Sequence, residues 1–444
     1  MNTEQFFDFE LKNGLFDIVD SRGLRPWEAV RYYVHSRIYS NREPVEKKTS
    51  PSKITLKNLF LSIRRKLFFI VYILRHLKSP YLFLLCSRDK KDGFYYDKIC
   101  GNSFEECNKI KKIAIETCVH DSNYKYAGLT CEQSFFSLLP SFLSVDFDFT
   151  LIKNLISVQY PAAPIEIKDL EKWYKEFLVQ YYYYRFFFRV LGTKKMFMVQ
   201  NGILKGIFAA AKELGIEVIE YQHGQISVNH PAYSYPEKVE PSKIYQPSKL
   251  LVFGEFWTKN RYYPGVENIV IGNQFYYKKN DNQKDMHLKK RILVISDMFE
   301  GKRLVRYVKS ILDIDASFLF YFKLHPNQYK EFDIYKNDFR TYENVEVVSD
   351  SMTISELLTK SEGILVVQST VELEALRDGK KVFVIKEGSY KLMDFVFDEP
   401  GVYLVDNPHS FIDEYTNHVN EDIKPRDDIF QSLNREVIKK LLSL

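Results

Sequence analysis

The feature that most narrows what this chain can fold into is an alternation between residues 291 and 385. Apolar runs of strand length at 291–296, 318–323, 345–348, 363–367 and 381–385 are separated by helical patterns at 304–312, 329–335, 354–359 and 371–377. A run that is apolar throughout, rather than at every second position, is buried on both faces, and a strand–helix–strand rhythm joins its strands in parallel. The expectation is a doubly wound, Rossmann-like α/β unit. Ligands of such sheets bind beyond the carboxyl ends of the strands, so the place of a site follows before any motif is considered.

A looser series of the same kind begins at Tyr81-Leu82-Phe83-Leu84-Leu85-Cys86. It continues through Met196-Phe197-Met198-Val199, a helix at 203–214 closing at Gly215, a strand at 216–220 and Leu250-Leu251-Val252-Phe253, and ends near Ile269-Val270-Ile271-Gly272. The polar, lysine-rich stretch 276–290 has no apolar periodicity and reads as an interdomain linker. The expected organisation is therefore a helical N-terminal region at 1–80, a Rossmann-like domain at 81–275, the linker, a second Rossmann-like domain at 291–425 and a C-terminal helix at 426–444. One long helix is expected at 169–189, with Trp173, Phe177, Tyr181, Tyr184 and Phe188 on one face as buried packing.

Composition excludes other classes. With 45% hydrophobic and 27% charged residues, and only 18 Gly and 16 Pro in 444, the chain is neither disordered nor low-complexity. Its first nine residues hold Glu4 and Asp8 and no basic residue before an apolar core, so a cytoplasmic protein is expected. The net charge of +5 comes from one patch: Lys53, Lys57, Arg64, Arg65, Lys66, Arg75 and Lys78 occur with no acid among them. The apolar run 67–74 inside it is far shorter than the roughly 20 residues that span a bilayer. Residues 53–78 read either as a basic amphipathic helix on an anionic membrane surface, which would make the protein peripheral on the inner face of the plasma membrane, or as a core helix with a solvated basic rim. No second basic stripe or recognition motif points to nucleic acid. Cys86, Cys100, Cys107, Cys118 and Cys131 match neither a C-x-x-C pair nor a zinc set and read as free thiols. No metal and no cofactor is expected; Asp146-Phe147-Asp148 has the spacing of a magnesium pair but falls in an aromatic stretch.

Three constellations carry chemistry. Glu220-Tyr221-Gln222-His223-Gly224 follows the 216–220 strand, which places an imidazole at a strand's carboxyl end beside a glycine that admits a close approach. Histidine takes and returns protons near neutrality, so His223 is a candidate general base, with Glu220 assisting and Gln222 and Gly224 beside it. A turn histidine satisfied by a carbonyl is the structural alternative. His230 lies downstream in a Tyr/Pro-rich loop of the kind that covers a cleft. Lys323-Leu324-His325-Pro326 ends a strand of the second series, and Pro326 fixes the turn so that Lys323 and His325 can face an anion; a plain His-Pro turn is the alternative. Ser369-Thr370 opens the 371–377 helix. Ser369 with Glu372 has the capping-box spacing, and the same amides and hydroxyls suit a phosphate, with Glu374 a turn further on for ribose hydroxyls.

In this order the pieces resemble the GT-B glycosyltransferases of bacterial capsule and lipopolysaccharide synthesis. Lys323-Leu324-His325-Pro326 is similar to the histidine-proline motif of sialyl and Kdo transferases, and Val252-Phe253-Gly254-Glu255, Ile271-Gly272-Asn273 and Ser369-Thr370 with Glu374-Ala375 fit the same pattern. The resemblance covers roughly 81–406. It implies two facing Rossmann-like domains, the first for the acceptor and the second for the nucleotide donor. It makes His223 the base or the residue that orients the acceptor, with Lys323, His325, Pro326, Ser369 and Thr370, and additionally Lys302 or Arg303, at the donor phosphate. Retaining relatives carry two glutamates eight positions apart, and the residue eight before Glu374 is Val366, so the implied reaction is inverting and metal-independent, with a CMP-sugar favoured as donor and a glycan or lipid-linked glycan as acceptor. Two alternatives are a polyol-phosphate or glycerophosphate transferase with a CDP donor, and a non-catalytic scaffold of a polysaccharide assembly complex.

Overall fold

A computed structural model describes residues 3–40, 71–107, 111–117, 124–126, 129–130, 143–199, 202–259, 263–277, 290–297 and 300–443. Most of the basic segment 53–78, nearly all of the linker, Cys118 and Cys131 lie outside the described residues. The described residues form two units: one from Met1–Val252, Thr258–Ile271 and Asn434–Leu444, the other from Phe253–Trp257 and Gly272–Leu433.

The first unit is built on a sheet of seven parallel strands: β1 (Tyr81–Leu85), β2 (Lys112–Glu116), β3 (Leu129–Thr130), β4 (Lys195–Val199), β5 (Glu217–Tyr221), β6 (Lys249–Val252) and β7 (Glu267–Val270). Their order is β3-β2-β1-β4-β5-β6-β7, so chain progression reverses between β1 and β4. Every residue of β1 is buried, and Phe83 stacks on Phe197 of β4 with centroids 4.8 Å apart. Complete burial of such a side chain contributes about 1.5–3 kcal/mol, which is why the continuous apolar run was a sound strand signal.

Helix α1 (Thr3–Lys12) and helix α2 (Pro26–Ser40) belong to this unit, as do α3 (Ile167–Leu191) and α4 (Lys205–Glu213). The expected aromatic face of α3 is buried, Trp173, Phe177, Tyr181, Tyr184 and Phe188 included. Helix α4 lies so close to α3 that any side chain at Gly206 would run into the Phe177 carbonyl, and Tyr181 and Arg185 both bond Glu213 across the pair. The terminal helix Arg435–Leu441 returns to this unit, where Lys195 donates to the Leu441 carbonyl at 3.0 Å and Tyr81 to that of Leu442 at 2.6 Å.

Buried charges tie α1 and α2 down. Glu10 receives Trp27 Nε1 at 2.8 Å and Arg31 Nε at 2.6 Å, and Arg31 also reaches the Pro231 carbonyl at 2.6 Å. Glu28 receives the Tyr245 amide at 2.8 Å and the Tyr235 hydroxyl at 3.2 Å, and Lys205 of α4 joins Tyr235 and the Tyr245 carbonyl at 2.6 Å each. The first helices thereby hold the 226–245 loop over the carboxyl ends of β4 and β5.

The second unit holds β8 (Arg291–Ile295), β9 (Leu319–Lys323), β10 (Val345–Val348), β11 (Gly363–Val366), β12 (Lys381–Ile385) and β13 (Val402–Val405) in the order β10-β9-β8-β11-β12-β13, all parallel. All five strands expected from the alternation are present, and β13 extends the edge. Helix α5 (Gly301–Ile314) packs Leu304, Val308 and Ile311 into a core with Ile292, Val294, Phe320, Phe322, Leu365 and Phe383. The helix expected at 329–335 is instead a 3₁₀ turn, Pro326–Glu331, running into a short helix, Phe332–Asp338, because Pro326 at its start fixes a tight entry. The following helices are Ile354–Thr359 and α6 (Val371–Arg377). Read in chain sequence, both sheets have the strand order 3-2-1-4-5-6, the first with a seventh strand, so each unit is a Rossmann-like domain.

Candidate functional site

Strand order locates one crevice per unit, beyond the carboxyl ends of the strands where the order reverses. In the first unit that point is β1 and β4, with β5 alongside. After β1 come Ser87 and Arg88; after β5 come Gln222, His223 and Gly224. Gln222 is buried and donates from Nε2 to the Gly224 carbonyl at 2.9 Å, which closes the turn. His223 is half-buried, and its Nδ1 is buried with no hydrogen-bond partner among the described residues. Burial, with the Arg88 guanidinium as the second cause, holds its pKa down to about 4. No described atom lies within 4 Å of where a Cβ on Gly224 would be, so this glycine is required neither by packing nor by a left-handed backbone. Among the described residues the turn leaves open space at Gly224, the residue next to the imidazole.

His230 belongs to the same crevice. Its Nδ1 receives the Ala232 amide at 3.3 Å, which leaves the proton of the neutral ring on Nε2, and burial followed by His223 also holds this ring down to about 4. Tyr233 packs on it at 4.9 Å and Tyr32 of α2 lies 6.5 Å away, centroid to centroid. His35, one helical turn beyond Tyr32, is pushed well below its ordinary value by burial, then by Arg31 and His230. Glu220 is fully buried, and Tyr233 donates to it at 2.8 Å. On the other side of β1, Glu116 receives the Ser87 hydroxyl at 2.7 Å, and burial raises its carboxyl to about 7.

In the second unit the order reverses between β8 and β11. His325 caps the turn after β9: its Nδ1 accepts the Asn327 amide at 3.2 Å, and its own amide donates to Gln328 at 3.1 Å. That bond places the neutral ring's proton on Nε2, a donor not used by the turn. Lys323 is otherwise engaged. Its ammonium donates to the carbonyls of Ser349 and, at 2.9 Å, Met352, tying β9 to the loop after β10. Lys302 pairs with Asp338 at 2.6 Å, and Arg303 with Glu300 and Glu387 at 3.0 and 3.2 Å. Ser369 Oγ accepts the Val371 amide at 3.2 Å and the Ser369 amide donates to Glu372 at 2.9 Å, but the Glu372 amide bonds the Ser369 carbonyl rather than its hydroxyl and the N-cap is Thr370, so only half of the expected capping box forms at the end of β11. Thr370 is exposed, and Glu374 is half-buried on the seven-residue α6. Glu372 is fully buried, and burial raises its carboxyl to about 8.

The structure thus brings His223, Gln222, Gly224 and His230 together in one unit, and sets His325 and Ser369 in the other on the loops after β9 and β11, with β8 between those two strands. Asp146 accepts Ser21 at 3.2 Å and Asp148 accepts the Thr150 amide at 2.9 Å, each on the surface. Arg88, Tyr32 and His35 had no place in the sequence reading. Arg88 was within reach of the rule that found His223, since it lies just past a strand's end; α2 offered no such signal. Among the described residues, Cys86, Cys100 and Cys107 form no disulfide. No helix among them is long and apolar enough to cross a membrane.

No protein-family model and no curated protein matches the chain. Among solved structures it is similar to the UDP-GlcNAc 2-epimerase of Methanocaldococcus jannaschii in complex with UDP-GlcNAc and UDP, at 13% identity and a TM-score of 0.46, over 82% of this chain and 99% of that one. It is similar to the Neisseria meningitidis UDP-GlcNAc 2-epimerase bound to UDP-GlcNAc at 14% identity and a TM-score of 0.43, over 82% and 99%. The Acinetobacter baumannii MurG follows at 10% identity and 0.44, over 81% and 98%.

Proposed function

We propose that the protein is an inverting, metal-independent glycosyltransferase that moves a sugar from a nucleotide-sugar, with a CMP-sugar favoured, to a surface polysaccharide or lipooligosaccharide acceptor. The observation that carries this reading is His223: an imidazole at the carboxyl end of β5 whose Nδ1 has no hydrogen bond, and whose neighbour Gly224 has open space at its missing Cβ, among the described residues. A ring held at about 4 is uncharged at neutral pH, so it is free to take a proton.

In the proposed reaction His223 removes the acceptor hydroxyl proton as that oxygen bonds to the anomeric carbon. The bond from that carbon to the donor phosphate breaks in the same displacement, and the nucleotide leaves with the electron pair. Negative charge grows on the departing phosphate, where fixed donors stabilise most. The Nε2–H of His325 and the hydroxyls of Ser369 and Thr370 are the second unit's donors for it, with Glu374 for the ribose; Lys323 would act by bracing the loop. Val366, eight positions before Glu374, is a buried residue of β11, so the second glutamate of the retaining pattern has no counterpart there.

The test is a thermal-shift panel of the whole chain against CMP, CDP, UDP, GDP and dTDP. At 100 times its dissociation constant a nucleotide stabilises the folded state by roughly 2.7 kcal/mol. We predict stabilisation by one of them, CMP first, and its loss by about tenfold in affinity or more in His325→Ala, as expected when a hydrogen bond to a charged group is removed. Stabilisation by CDP alone would favour the polyol-phosphate reading. A flat panel would leave the transferase reading without support.

A further inference from the structure

Tyrosines around the first unit's roof direct their hydroxyls to protein partners. Tyr233 donates to Glu220 at 2.8 Å and Tyr235 to Glu28 at 3.2 Å, and Tyr245 accepts the Arg25 amide at 3.1 Å. Tyr33 of α2 donates to Glu176 at 3.3 Å, and its ring stacks on Trp173 with centroids 5.1 Å apart and planes 6° from parallel. Tyr32, the residue before it, differs. It is half-buried and burial raises its pKa, yet its hydroxyl has no hydrogen bond among the described residues. The ring stands at the carboxyl-end side of the sheet. Gly202, three residues past β4, has a φ of +93°, and a Cβ there would lie 2.9 Å from the Tyr32 ring, so a side chain at this position would be strained and would collide. His230 of the roof borders the same ring at 6.5 Å, and Tyr33 meets it edge-on at 6.0 Å. Arg31, the preceding residue, bonds Glu10 and the Pro231 carbonyl at 2.6 Å each, so the backbone that carries the ring is tied to the roof. A ring held in this way loses little freedom when a ligand arrives.

We propose that Tyr32 is the acceptor-binding residue supplied by the N-terminal helices: its ring carries the C–H face of a pyranose at the end of the acceptor, and its hydroxyl bonds one of that sugar's hydroxyls. The inference rests on the transferase reading of the same crevice and adds the chemical class of the acceptor's reacting end. A pyranose has a face of C–H groups and a rim of hydroxyls, which matches a flat ring with a polar tip. An open-chain polyol presents no such face. The N-terminal helices then do more than fix the roof, since α2 brings to the crevice a side chain that the sheet domain itself does not contain.

The experiment is saturation-transfer difference NMR on the whole chain. The probes are the methyl β-glycosides of glucose, galactose and N-acetylglucosamine, with ribitol and glycerol phosphate as open-chain controls, each titrated with and without the nucleotide that stabilises the protein. The expected result is a saturable signal from at least one pyranoside, strongest at the ring protons of one face, and none from the controls. Affinity should fall about fivefold in Tyr32→Phe, which keeps the ring and removes the hydroxyl, and about tenfold or more in Tyr32→Leu, which removes both. Tyr33→Phe, which releases Glu176 instead, should leave it unchanged. Melting temperatures of the variants separate lost binding from lost folding, and Tyr32→Phe carries the test if Tyr32→Leu unfolds. Absence of any pyranoside signal, an affinity that neither Tyr32 replacement lowers, or a Tyr32-dependent signal from an open-chain control overturns the proposal. So does a pyranoside signal that the nucleotide abolishes, since the sugar would then lie in the donor's place. Nucleotide binding without a pyranoside signal sinks this inference alone; a Tyr32-dependent pyranoside signal with a flat nucleotide panel sinks the transferase reading and leaves the sugar site standing.

Discussion

The two units share a strand order and differ in how they treat the crevice it creates. In the second unit the crevice is bordered by short turns: a 3₁₀ turn after β9 and the start of α6 after β11, with Thr370 exposed. In the first it is roofed by the 226–245 loop, which α1 and α2 pin through Glu10–Arg31 and Glu28–Lys205. The cores differ in the same sense. The second unit buries Glu372, Arg377 and Lys381 within its own strands and helix α6, whereas the first buries Glu10, Glu28, Arg31 and Lys205 around its roof. Apolar packing is tolerant of shape and sets no unique arrangement of a loop, while a buried charge accepts few partners. An open crevice suits a mobile, strongly charged ligand such as a nucleotide, and a roofed one suits selection of a second substrate.

The comparison breaks first at His223. General-base catalysis contributes typically 10²–10⁴-fold, so His223→Ala is predicted to lose that much turnover while a nucleotide still stabilises the protein. Loss of nucleotide binding with turnover would place the donor against the first unit and end the division of labour. Next in size is the roof. Arg31→Ala leaves Glu10 as an unpaired buried carboxylate, and removing one partner of such a pair costs about 3–5 kcal/mol. Denaturant unfolding should show that loss, and a double replacement, Glu10→Leu with Arg31→Met, should recover much of it. If Arg31→Ala is as stable as the wild type, the buried pair does not hold the roof.

What the sequence made legible follows the same division. The strands of the second unit were readable because mostly apolar runs of strand length recur between helical patterns at a regular interval, and β10, β12 and the two helices at 354–359 and 371–377 fall where the pattern placed them. Strands β2 and β3 escaped: Lys112-Ile113-Ala114-Ile115-Glu116 has charged ends, and β3 is two residues long. The His-Gly and His-Pro turns were legible as punctuation after strands, and of the Ser369–Glu372 box the bond from the Ser369 amide to Glu372 forms while the reciprocal one does not. What spacing cannot show is which partner a side chain finds. Lys323 sits where a phosphate ligand was expected and is drawn instead to two carbonyls of the loop after β10, because that loop ends a neighbouring strand and leaves acceptors within reach of a lysine. Arg88, Tyr32 and His35 reach His223 and His230 from residues more than a hundred positions away, and no periodicity records such a meeting.

The smallest expected effect is the sharpest probe of the roofed crevice. Gly224 has neither a left-handed backbone nor a described neighbour within 4 Å of its missing Cβ, so Gly224→Ala should fold normally. Alanine in a compatible backbone reduces the freedom of the unfolded chain, so stability should stay level or rise by about 0.4–1 kcal/mol. A methyl group placed in open space has a cost only when something else is to occupy that space. We therefore predict a several-fold rise in the acceptor KM, with nucleotide affinity unchanged, read by steady-state kinetics beside denaturant unfolding. A variant of wild-type kinetics would mean that the acceptor does not use the space beside His223, and the open side of that imidazole would then need another explanation.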